Sequence, residues 1–147
     1  MQILSQRNPQ WADVKIGPSN ITVGRYGCTI TCISMLTSYF GNWVDPEQIA
    51  LKQLFTKDGL IIWTKLNLPN IKFDHRGYGR NDVEIMDALK DPNKAVILQV
   101  QNYHWVVALG RGLLKGYRIA DPWFGDKSTT ARYKDQITGY AIFKLKP

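Results

Sequence analysis

Cysteine, histidine and glutamate are scarce in this 147-residue chain, with two residues of each, and the scarcity closes off several kinds of chemistry. Cys28 and Cys32 lie four apart in what reads as one helix. A bridge there would fix nothing distant, so both are expected as free thiols and no disulfide framework is implied. Two cysteines with distant histidines match no common zinc spacing, and no metal or cofactor is expected. Glu47 and Glu84 both sit in helix-capping positions, which argues against a carboxylate pair built for glycoside cleavage. There is no glycine-rich phosphate loop, finger or RNA-binding signature, so nucleic acid is not an expected partner. Repeats and low-complexity tracts are absent. The amino terminus lacks a basic segment followed by an apolar stretch, and no apolar run is long enough to cross a bilayer. The expectation is a soluble protein without a signal peptide or a membrane partner: cytoplasmic, released by lysis or carried on a virion.

The length suits one domain over residues 1–147 with a substantial core, because chains of this size bury roughly two-thirds of their unfolded surface. Net charge is +7. Residues 111–147 hold eight Lys or Arg against three Asp, an excess of +5, so the basic character belongs to the last quarter. Such a charge serves solubility, and it also attracts polyanions such as an acidic cell-wall polymer.

Residues 1–25 are polar and punctuated by Pro9, Gly17, Pro18 and Gly24, the composition of an extended arm with turns. From Cys28 to Phe40, apolar side chains at three- and four-residue spacing predict a central buried helix stopped by Gly41. Asp45-Pro46-Glu47-Gln48 carries a helix-start signature, with Ile49, Leu51, Leu54 and Phe55 as the apolar residues of a helix that Gly59 ends or interrupts. Leu60 to Leu66 fits either a helical turn or a strand. The polar segment around His75 resembles a surface loop, and Asn81-Asp82 caps a second amphipathic helix that closes before Asp91-Pro92. Beyond Pro92 the period changes. Short branched and aromatic runs at 95–100, 105–109, 116–120 and 139–144 predict an antiparallel sheet. The fold class expected is α+β, with a mainly helical half at 26–92, a mainly sheet half at 93–147 and a site at their junction.

Four residues could carry chemistry there. Cys28 follows Gly27 at the opening of the longest apolar helix, where unpaired N–H groups and the helix dipole favour a thiolate. His104 opens the strand His-Trp-Val-Val-Ala-Leu-Gly, a rigid place for a base. Asp121 lies seventeen residues later, enough for a returning neighbour strand that brings its carboxylate beside the imidazole. Attack on an amide also needs oxyanion donors. The Cys28 N–H is one, and a side-chain amide, Gln6 or Asn20, is the second, with spacing alone not choosing between them.

At this level of detail the chain resembles papain-like cysteine peptidases of the bacteriocin-processing, double-glycine-peptidase-like group. The stretches that carry the resemblance are Ser-Gln6-Arg-Asn-Pro-Gln-Trp11-Ala, Tyr-Gly27-Cys28-Thr-Ile-Thr31-Cys-Ile-Ser-Met35-Leu, His104-Trp-Val-Val-Ala-Leu-Gly110, Ile-Ala-Asp121-Pro-Trp-Phe-Gly125 and Ile137-Thr-Gly-Tyr-Ala-Ile-Phe143. It implies a papain-like fold with Cys28 as nucleophile, His104 as base, Asp121 as orienting acid and Gln6 as oxyanion donor. Two positions depart from the group: Thr29-Ile30 stands where relatives often carry Gly-Pro, and Thr22 where leader-processing members carry a glutamine.

The function expected is hydrolysis of a peptide or related amide bond through an acyl-enzyme. A peptidoglycan crosslink of a phage or lysis module is one alternative substrate. A catalytically inactive peptide- or wall-binding module of the same fold is the alternative from another class.

Overall fold

Serine and threonine are frequent in the helix that begins at Cys28, so its stability has to come from its surroundings rather than from intrinsic propensity. The computed structural model describes residues 1–147. In it α2 (Cys28–Tyr39) is buried almost all round, from Cys28 to Thr37 with only Thr29 less enclosed. Its hydroxyls are satisfied locally. Thr31 donates to the Gly27 carbonyl at 2.8 Å, Ser34 to that of Val44 at 2.7 Å and Thr37 to that of Ser34 at 2.7 Å. These bonds remove the penalty of enclosing a polar group in a core. Phe40 caps the helix and Gly41, at φ +88°, reverses the chain, a backbone state open to glycine at no steric cost.

The strands form one antiparallel sheet of six: β1 (Ile71–Tyr78), β2 (Lys94–Val100), β3 (His104–Arg111), β4 (Tyr117–Asp121), β5 (Asp126–Thr129) and β6 (Ile137–Leu145), in the order β1-β6-β2-β3-β4-β5. Successive strand residues point to opposite faces, and both faces of β2 are covered. Ala95 and Ile97 join the core around α2, with Ile30, Ile33, Leu36 and Phe143. Val96, Leu98 and Val100 join a second core with Ile85 and Ala88 of α4 (Asp82–Lys90). The result is three layers, α2 on one face of the sheet and α4 on the other. No helix is long and apolar enough to cross a membrane.

Several expected elements differ in extent. The helix that opens at Asp45 has the full reciprocal cap, with the Asp45 side chain accepting from the Gln48 N–H and the Gln48 side chain from the Asp45 N–H, yet α3 (Pro46–Ala50) stops after little more than a turn. Leu51 faces solvent, and Leu54 and Phe55 are buried from an extended segment bridged at Phe55 to Ile61. The apolar spacing there combined a helical face with an extended return. Leu60 to Leu66 contains both structures that its sequence allowed, the Ile61 bridge and a 3-10 turn at Trp63–Lys65. The segment around His75, expected as a surface loop, is strand β1. Neither β1 nor β5 reads as a strand in the sequence, and the two are the edges of the sheet. Edge strands commonly carry charged and polar residues, which blurs alternation. The amino-terminal segment runs through turns and one bridge, Lys15 to Thr22, into a helical turn, α1 (Val23–Tyr26), that abuts Cys28.

Candidate active site

Cys28 is the first residue of α2, and the joint that places it depends on Gly27. A Cβ on Gly27 would lie 2.5 Å from the Val23 carbonyl oxygen and 2.7 Å from Val23 Cγ1, so α1 and α2 could not meet so closely with any other residue there. Cys28 retains 9 % of its surface and lines a cleft of about 440 Å³, bounded on one side by Ile16, Phe55 and Trp63. It stands at the amino end of a helix, where the first N–H groups have no intrahelical acceptor.

His104 opens β3 directly after the hairpin turn from β2. Gln101 and Asn102 adopt φ +51° and +68°, and the Tyr103 N–H reaches the Val100 carbonyl. Two consecutive left-handed residues make the turn whose twist matches that of its strands, and this fixes where the imidazole starts. The ring is buried. Its Nε2 pairs with Asp121 Oδ1 at 2.9 Å, and Cys28 stands near enough to the same ring to raise its pKa. With Nε2 engaged by the carboxylate, Nδ1 is the nitrogen left for the sulfur.

Asp121 ends β4 and is fully buried. Oδ1 also accepts the Trp123 N–H at 3.0 Å, closing the turn after Pro122, and Oδ2 accepts from Arg132 Nη1 at 3.0 Å and from the Tyr133 hydroxyl. Arg132 in turn forms two parallel bonds to Asp126, at 2.8 and 2.9 Å. Burial pushes the Asp121 carboxyl up, but the His104, Tyr133 and Arg132 donors outweigh it and hold the group down at about 2. Burial likewise pulls the His104 imidazolium down, while the hydrogen bond to Asp121 and the proximity of Cys28 raise it to about 9. At neutral pH the ring is therefore cationic, with a carboxylate on one side and Cys28 on the other.

Of the two amides, Gln6 is enclosed between the segments that carry Asp121 and Cys28, and Asn20 is not. Gln6 is buried, its N–H bonds the Pro122 carbonyl at 2.8 Å, and its Nε2 donates to the Gly24 carbonyl at 3.2 Å. It thus spans from the turn after Asp121 to the helical turn before Cys28, and one Nε2 hydrogen remains uncommitted. Asn20 is exposed, and neither amide lines the cleft. Cys32, one turn into α2, is sealed with its thiol on the Trp105 carbonyl at 3.4 Å. Burial drives its pKa well above the usual thiol value. His75 pairs with Asp74 at 2.8 Å and with Glu84 of α4, away from Cys28. Sequence reasoning missed Arg132 and Tyr133. They lie in a 3-10 turn, Thr130–Tyr133, that no motif marks.

Curated proteins offer no match to this sequence. The sequence model of the peptidase C39 family matches residues 21–145, a span that contains Cys28, His104 and Asp121 but leaves out Gln6. The chain belongs to that family, the double-glycine-peptidase-like group of cysteine peptidases.

Proposed function

We propose that this chain is a papain-like thiol hydrolase of peptide bonds in which Cys28 attacks, His104 transfers protons and Asp121 holds the imidazole. The observation that supports it most is the single buried ring that bonds a buried carboxylate through one nitrogen and has Cys28 beside it, raising its pKa. A cationic ring is the partner an ionised sulfur needs. In the attacking state of this cycle the proton shared by the pair sits on His104, which leaves the sulfur free to attack. The thiolate attacks the substrate carbonyl carbon, and the developing oxyanion is met by the Cys28 N–H and the free Nε2 hydrogen of Gln6. His104 passes its proton to the departing amine, leaving a thioester on Cys28. Water then attacks the thioester with His104 taking its proton, and expulsion of the thiolate frees the acid and restores the pair.

The apolar walls beside Cys28 suit an extended peptide with hydrophobic side chains. The basic last quarter of the sequence favours an anionic carrier such as a cell-wall polymer as the second substrate reading, with a wall crosslink in place of a protein bond. The test is cleavage of casein and of purified wall by the wild-type chain and by Cys28→Ala and His104→Ala. Each variant should lose turnover by at least about a thousandfold. Equal rates in variant and wild type would refute the assignment, as would the absence of any product from the wild-type chain.

A further inference from the structure

Arg76 is the only charged side chain that lines the cleft, and it is the least satisfied arginine in the site region. Its Nη1 is buried without a hydrogen-bond partner, and no carboxylate lies within ion-pair distance. Arg132 and Arg80, by contrast, are both bonded to aspartates. A buried guanidinium N–H with no acceptor is costly to retain in a free protein. The position is also built. In the sheet register Arg76 stands opposite Ala141, and Tyr78 opposite Gly139, whose other neighbour Gln99 pairs with Trp105. The small residues on β6 leave a trough between the large ones on either side. A Cβ on Gly139 would already lie 3.0 Å from Gln99 Oε1. The guanidinium lies in that trough with its carbon 4.4 Å from the Tyr78 ring centroid and 4.8 Å from that of Trp105, with Trp63 at 5.8 Å. Aromatic faces hold an arginine fork flat and shed its water without consuming its donors.

We propose that Arg76 forms a carboxylate-binding subsite in the cleft that opens on Cys28, and that it selects peptides carrying an anionic group at one fixed distance from the scissile bond. The planar fork offers two parallel N–H bonds to a carboxylate through Nε and Nη2, the nitrogens that are not sealed. The aromatic walls exclude water from that pair, and no acid of the protein competes for it. The carboxylate comes from an Asp or Glu side chain or from the free end of the peptide, and the two are separable by experiment. The subsite rests on the peptidase reading only for what Cys28 does to the bound peptide.

Binding is therefore measured on the Cys28→Ala chain, where no turnover occurs, by chemical-shift titration with capped alanine pentapeptides. Glu and Gln are placed in turn at each position, and an uncapped series carries a free terminal carboxylate. The expected result is a preference of about tenfold to a hundredfold for Glu over Gln at one position, or for the free over the amidated terminus, weakened by salt. Arg76→Gln should reduce that preference to less than about threefold, and Arg76→Lys, which keeps the charge without the fork, should give an intermediate value. Equal binding of all peptides to the chain with Arg76 intact, including binding by none, overturns the subsite whether or not the variants fold. Persistence of the preference in Arg76→Gln overturns it as well. A wild-type chain that hydrolyses peptides without any carboxylate preference defeats this inference alone. Carboxylate binding without hydrolysis defeats the peptidase reading alone.

Discussion

Replacing Asp121 by Asn changes one atom and should move the titration of His104 by a measurable amount. In the wild type the ring is raised to about 9 by two partners, Asp121 and Cys28, against the opposing effect of burial. A charge-assisted hydrogen bond to a buried carboxylate contributes about 1.5–3 kcal/mol, which at 1.36 kcal/mol per pH unit is about one to two units. The asparagine can still accept from His104 Nε2 and the Trp123 N–H through its oxygen. Its amide, however, would face the Arg132 N–H and the Tyr133 hydroxyl, both donors in the wild type, so part of the orientation is lost as well. His104 in Asp121→Asn should titrate between about 7 and 8. The chain has only two histidines, so NMR titration of the ring protons resolves them, with His75→Gln assigning the pair. The sign for stability follows from the raised value. The contribution of His104 to folding is complete below about 6.5 and is lost as pH rises through about 9. The variant should show a flatter loss of unfolding free energy over that window. The alkaline limb of kcat/KM should move down by the same one to two units. A wild-type His104 that titrates near 6.5, or an Asp121→Asn midpoint equal to wild type, would refute the paired-ring geometry.

Gln6→Ala should lower kcat about a hundredfold to a thousandfold with little change in KM, because the donor is needed only when the oxyanion forms; progress curves on one peptide check it, and an unchanged kcat removes Gln6 from the site. Gly77→Ala places a Cβ 2.0 Å from Tyr140 Cζ, so it should cost about 1–3 kcal/mol and lower the melting temperature by roughly 3–10 °C in calorimetry. An unshifted melt would mean that Tyr140, bonded to Glu84, yields freely.

What the sequence reveals follows from where each signal is strong. Cys28, His104 and Asp121 were legible as candidates because each sits at an element boundary that has its own signature: a glycine before an apolar helix, a histidine opening an apolar run, an Asp-Pro turn. Their convergence also needed β3 and β4 to be neighbours, which a seventeen-residue separation allows. The edge strands β1 and β5 were illegible because partly solvated, charge-bearing strands lose the alternation that marks a buried one. Arg76 was hidden by the same effect, since it lies in the strand that reads as a loop. Arg132 and Tyr133 grip Asp121 from a short 3-10 turn whose composition is ordinary, and only tertiary placement distinguishes them. The shortened α3 shows the reverse case, a complete cap that nucleates a turn without an apolar face long enough to extend it.

The most direct test is alkylation of the native chain with iodoacetamide at pH 6, followed by mass mapping of the modified residue. Modification should fall on Cys28 alone, about tenfold or more faster than on free cysteine at that pH, and should slow to the free-thiol rate in His104→Ala, while sealed Cys32 stays intact. Modification of Cys32 in place of Cys28, or a Cys28 rate indifferent to His104, would contradict a thiolate held by that imidazole.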